Sequence, residues 1–223
     1  MAIMVWAMSA LGWSAVANLV IGDTGYVTRN LFLVLGVLLI AWRLGRRPSE
    51  LGMSADSARS GLTAGIGAVV LVGLVLLLAV AFADRVGPVQ ELLGDRRADL
   101  DVGPLAFAVL IRIPLGTVLF EEVLFRGLGL ALLLDRMQPT PAVLVNSAVF
   151  GLWHVAPTIV GLRLNEIDPG SVAGVVGVVG AVLVTFLAGI VFAWLRLRTG
   201  SLLAPCLAHW STNALGLLAA ASQ

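Results

Sequence analysis

A chain of 223 residues that is 59% hydrophobic and 12% charged, with a mean hydropathy of +1.01, has too little polar surface to cover a soluble globule of its size. A formal net charge of +1 leaves no nucleic-acid footprint, and the single Cys206 excludes an intrachain disulfide. The composition is that of an integral membrane protein.

Crossing ~30 Å of hydrocarbon takes about 20 helical residues, and about seven apolar windows of that order can be placed. In chain order they are Ala2–Ile21, Val27–Arg43, Gly61–Phe82, Pro104–Leu134, Pro141–Val160, Ser171–Leu195 and Ser201–Ala220. The predicted fold class is therefore all-α, a polytopic transmembrane helix bundle. The first window carries no basic residue before Arg29, which argues against a cleaved signal despite the sequence Ala15-Val16-Ala17. The fourth is overlong and contains Pro114, so it is expected to kink or to begin before the membrane. Two stretches, Arg46 to Ser60 and the acid-rich Asp84 to Gly103, read as interfacial or solvated. Gly174, Gly177 and Gly180 form a ridge predicted to let the sixth helix pack closely. The organisation expected is N-terminal membrane helices over residues 1–104 and a catalytic core over 105–223.

Topology is read from arginine, since the chain has no lysine. With the N-terminus inside, the cytoplasmic loops hold Arg43, Arg46, Arg47, Arg59, Arg136, Arg196 and Arg198, against Arg29, Arg85, Arg96, Arg97 and Arg163 outside. A cytoplasmic N-terminus follows. Abundant arginine and alanine without lysine fit a high-GC bacterial genome, and hence a bacterial plasma membrane. Trp42 and Trp194 fit an interfacial belt, and Arg112 is expected to snorkel outward or pair with an acid of the Asp84–Gly103 stretch.

Three polar islands interrupt the apolar windows: Glu121-Glu122-Val-Leu-Phe-Arg126, Phe150-Gly-Leu-Trp-His154 and His209-Trp-Ser-Thr-Asn213. An ionisable group in hydrocarbon costs roughly 2.5–3.5 kcal/mol on insertion scales, so three islands imply one shared buried site. Residues four apart share a helical face, which pairs Glu122 with Arg126 and leaves Glu121, displaced by about 100°, free to point elsewhere as a general base. His154 and His209 could then both meet Glu121. Since His209 lies nearest the Arg198 end of its helix, the cavity is predicted to open toward the cytoplasm and sideways to lipid. Asn146 shares a face with Phe150 and His154 and could support the site. Trp153 and Trp210 neighbour the histidines as possible walls, while Cys206 reads as packing.

Glu-Glu-x-x-x-Arg, Phe-x-x-x-His and His-x-x-x-Asn, in this order and each within a hydrophobic helix, resemble the CPBP family of intramembrane proteases. That family includes the type II CAAX prenyl endopeptidases and the bacteriocin-processing and self-immunity proteins. The resemblance runs from about Leu105 to Leu215. It implies that Glu121 and His154 activate the attacking water, that His209 and Asn213 stabilise the oxyanion, and that Glu122 and Arg126 hold the site together.

The function expected is an intramembrane endopeptidase acting on a membrane-associated or lipidated peptide or protein substrate, in contact with the lipid bilayer and with no nucleic-acid partner. The sequence does not fix the oligomeric state. Glu121, His154 and His209 could also ligate zinc with a water in the fourth position, but His-x-x-x-Asn lacks the paired arrangement of soluble zinc peptidases, and the resemblance favours a metal-free glutamate mechanism. The alternative is a non-proteolytic immunity or scaffold protein on the same fold. A proton-coupled transporter would lead one to expect an internal repeat, and none is visible.

Overall fold

The computed structural model describes residues 1–82 and 98–222, so the readings made for Arg85, Arg96 and Arg97 and for most of the Asp84–Gly103 stretch lie outside the described residues. Among the described residues seven helices follow one another: α1 (Ala2–Ile21), α2 (Tyr26–Arg43), α3 (Ala58–Phe82), α4 (Val102–Leu134), α5 (Pro139–Leu164), α6 (Val172–Thr199) and α7 (Leu203–Ala221). No strand occurs among the described residues. The first six are long and apolar enough to cross a membrane, and α7, of 19 residues, carries His209, Ser211, Thr212 and Asn213. The chain is an integral membrane protein of the all-α class.

In the bundle α3 lies along α7 and α6 along α5, while α4 runs between α2 and α7 with α1 and α5 against its second half. Phe125, Leu130, Leu133, Phe150 and Trp153 form the centre of the packed core. The tight α5–α6 contact does not come from the expected ridge as a whole. A Cβ on Gly180 would meet nothing, whereas one on Gly189 would come 3.1 Å from the Ser147 Cα and one on Gly151 2.8 Å from the Val182 carbonyl. Gly174 and Gly177 instead accommodate the preceding loop and Leu162.

Proline shapes the two helices that carry the site. Pro114 removes a donor inside α4, and the backbone there adopts π-type bonding over Ala108–Val118 and again over Val123–Gly129. The short α-helical turn between them, Leu119–Glu122, presents both glutamates. Four side chains from four neighbouring helices donate to α4 carbonyls: Trp6 to Leu124 (3.1 Å), Asn30 to Gly116 (2.6 Å), Asn146 to Phe125 (2.9 Å) and Trp210 to Val109 (3.0 Å). In hydrocarbon such carbonyls have no water to turn to, so these donors allow the irregular helix to persist. In α5 the regular helix stops at His154, because Pro157 has no N–H to offer the Trp153 carbonyl. The Ser14 hydroxyl of α1 takes that carbonyl instead, at 2.6 Å.

The α2–α3 loop folds across one end of the bundle. Arg46 pairs with Asp135 just after α4, Arg196 donates to the Glu50 carbonyl (2.8 Å), Leu202 N–H to the Gly52 carbonyl (2.8 Å), and Ser60 to the Thr199 carbonyl (2.9 Å). Gly52 has φ +79°, and a side chain there would collide with the Arg196 guanidinium.

Candidate active site

The α4 turn Leu119–Glu122 sends its two carboxylates in different directions, as the one-residue offset requires. Glu122 is fully buried and accepts from Arg126 Nη1 at 3.1 Å and from His209 Nδ1 at 2.8 Å, both on its Oε1. Arg126, also fully buried, donates from Nη2 to the Gly189 carbonyl at 3.3 Å. Its guanidinium lies 4.0 Å above the Phe150 ring and 5.2 and 5.8 Å from the Phe192 and Phe125 rings. A desolvated cation is tolerated here because one carboxylate, one carbonyl and three aromatic faces replace its water.

Glu121 accepts from Trp153 Nε1 at 3.1 Å on Oε1, and its buried Oε2 has no hydrogen-bond partner. That oxygen lies 3.9 Å from His154 Nε2 and 3.8 Å from His209 Nε2. His154 Nδ1 sits 2.7 Å from the Phe150 carbonyl, which can only accept, so Nδ1 carries the proton and Nε2 presents its lone pair to Glu121. Phe192 stacks on His209 at 5.0 Å, and Phe150 meets both imidazoles edge-on, at 4.6 Å for His154 and 5.8 Å for His209. The rings are thereby fixed in orientation as well as position.

Five of the six residues singled out in the sequence meet in this cluster. Asn213 lies one turn beyond His209 on α7 with an exposed side chain, and it makes no hydrogen bond to the cluster. Asn146 supports the site through the Phe125 carbonyl rather than through a histidine. Arg112 pairs with Asp23 at 2.7 Å; most of the acid-rich stretch expected to pair with it lies outside the described residues. Sequence reasoning missed the Trp153 donor to Glu121 and the Glu122–His209 bond. The first depends on the helix break at His154, for which Pro157 was the visible signal; the second joins residues 87 apart and had none. On the Arg198 side, toward which an opening was expected, Arg126, Leu133, Ala142 and Pro205 are fully buried.

Among the described residues no group of three or more His, Cys, Asp and Glu is arranged to hold a metal ion. The Glu121–imidazole separations of 3.8 and 3.9 Å exceed the roughly 3.3 Å between donors that each lie about 2.0–2.1 Å from a tetrahedral zinc. The donor set as it stands does not support a metalloprotease-like reading.

The fold and site thus define a polytopic membrane protein with a Glu–His cluster buried between its helices. A family profile described as Type II CAAX prenyl endopeptidase Rce1-like matches residues 103–215, just over half of the 223, and the chain belongs to that family of CAAX-type intramembrane proteases. No curated protein and no solved structure matches the chain.

Proposed function

We propose that the protein is an intramembrane endopeptidase that hydrolyses a peptide bond of a membrane-associated or lipidated substrate with a water activated by Glu121 and His154. The observation that carries this reading is the convergence of Glu121 Oε2, without a hydrogen-bond partner, with two imidazole Nε2 atoms within 3.9 Å. Glu121 Oε2 and the His154 Nε2 lone pair are suited to a single water, which can donate one O–H to each and lose its proton as it attacks the carbonyl carbon. Glu121 takes that proton and passes it to the leaving amine; the His154 lone pair orients the water. Trp153, donating to the other Glu121 oxygen, keeps Oε2 turned toward the imidazoles.

His209 is the reading's oxyanion group. Its Nδ1 is held by Glu122, so Nε2, when it carries a proton, points where negative charge would develop on the substrate oxygen. Asn213, one turn along α7, would supply a second donor once a substrate is present. Glu122 and Arg126 position His209 and do not touch the substrate.

The reading places the protein in a bacterial plasma membrane with a cytoplasmic N-terminus, and it requires no metal. Candidate substrates are leader peptides, membrane-bound regulators and membrane peptide toxins. The test compares membrane peptides from cells carrying the wild-type protein and Glu121→Gln. A precursor that accumulates only in the variant names the substrate. A variant that keeps the full cellular phenotype makes this a binding protein on a protease fold.

A further inference from the structure

The shell around the cluster is closed at one end and open at the other. Toward the end that holds the N-terminus, Arg126, Leu130, Leu133, Ala142 and Pro205 are fully buried, and the α2–α3 loop is tied across them by Arg46, Arg196 and Gly52. Toward the opposite end the side chains of Thr212 and Asn213 are exposed, His154 keeps 21% of its side-chain surface, and Ile111 and Leu115 of α4 are exposed as well.

Depth along α4 agrees with this asymmetry, while on α7 His209 lies about 9 Å from the Leu203 end. Thr117, one turn before Glu121, meets the hydroxyl of Tyr26, the first residue of α2, at 2.9 Å. At ~1.5 Å per residue Glu121 therefore lies about 6 Å below the α1–α2 turn and about 20 Å from the Asp135 end. Tyr26 is itself clamped there, with the Arg112 guanidinium 4.5 Å and the Arg29 guanidinium 5.4 Å from its ring, and with its edge against Gly116, where a Cβ would come within 2.8 Å.

We propose that the mouth of the site lies at the α1–α2 turn, between Tyr26 on one flank and Asn213 on the other, so that the scissile bond and the amino terminus lie at opposite faces of the membrane. The word "scissile" rests on the proteolytic reading; the location of the mouth does not. Substrate segments then reach Glu121 from the shallow side, and a bond buried deep near the Asp135 end is not cleaved.

The test uses membrane-impermeant thiol labelling of the full chain in a Cys206→Ala background, with Ser49→Cys and Thr24→Cys marking the two faces. Asn213→Cys is expected to react from the Thr24 face, at least about tenfold faster than Leu133→Cys, whose thiol must wait for local opening. The same pattern is expected when Glu121→Gln is added, because labelling does not need cleavage. Should Asn213→Cys fail to fold, as judged by its melting curve, Thr158→Cys, one turn beyond His154, replaces it. Reaction from the Ser49 face, faster reaction at Leu133, or no reaction at either position before denaturation overturns the proposal. Absence of proteolysis by the unsubstituted protein, with labelling as expected, would sink the protease reading and leave the mouth where it is.

Discussion

At the scale of single residues, the two adjacent glutamates have separable duties. Glu121→Gln keeps the shape and the Trp153 bond but cannot take a proton, so cleavage is expected to fall by about 10²–10⁴-fold with the melting temperature nearly unchanged. Glu122→Gln removes the counter-charge of a fully buried guanidinium, and breaking such a buried pair costs about 3–5 kcal/mol. The expected result is a lower melting temperature, with lost activity as a consequence of the released His209. If the two variants behave alike in both assays, this division fails. Chelators should leave cleavage by purified protein unchanged; inhibition reversed by added zinc would restore the metal reading that the donor spacing does not support. The Glu122–Arg126 pair was legible because four-residue spacing is local information. The Glu122–His209 bond was not, since nothing in one sequence says which face of α7 meets α4.

At the scale of elements, the seven helices could be placed from apolar windows alone, because hydrocarbon thickness sets their length. What the windows did not show is how α4 departs from regular bonding and which residues repair it. Trp210 reads in sequence as a wall beside His209, and Trp6 and Asn30 carry no local signal, yet each of the three donates to an α4 carbonyl. Asn30→Ala should cost about 1–3 kcal/mol, as expected for a buried carbonyl left without a donor. Asn30→Asp should not rescue it, because a carboxylate brings no N–H. A melting shift near zero for Asn30→Ala would show that the Gly116 carbonyl finds another donor.

The strap across the closed end adds a pH dependence. The Arg46 hydrogen bond holds the Asp135 carboxyl below the ordinary carboxylate range, and the same contact raises the Arg46 guanidinium. A depressed carboxyl contributes stability above its unfolded value, about 3.9, and loses it as pH falls through the lower folded value. With Asp135 43% exposed, the contribution is about 0–1 kcal/mol. Asp135→Asn should therefore lower stability at neutral pH by that same about 0–1 kcal/mol and remove the acid limb, so that the two melting temperatures converge below about pH 4.

At the scale of the whole molecule, the arginine count and the shape of the site constrain each other. The N-terminal end of the bundle is both the arginine-rich end and the closed one. With the amino terminus in the cytoplasm, the mouth faces outward, and substrates would be segments reaching the outer leaflet. With the opposite topology it faces in. Reporter fusions at the Arg196–Ser201 turn decide between them: a cytoplasmic signal is expected.

The irregularity of α4 also has a consequence for how the protein is made. During synthesis α4 leaves the ribosome before α5, α6 and α7 exist, carrying two carboxylates, two guanidiniums and carbonyls whose donors include Asn146 and Trp210, still to be translated. At roughly 2.5–3.5 kcal/mol for each charge near the bilayer centre, it is a poor passenger on its own. Its stable insertion must wait for the downstream helices, so a nascent chain halted after Leu134 should be extracted or degraded, whereas one halted after Ala221 should not.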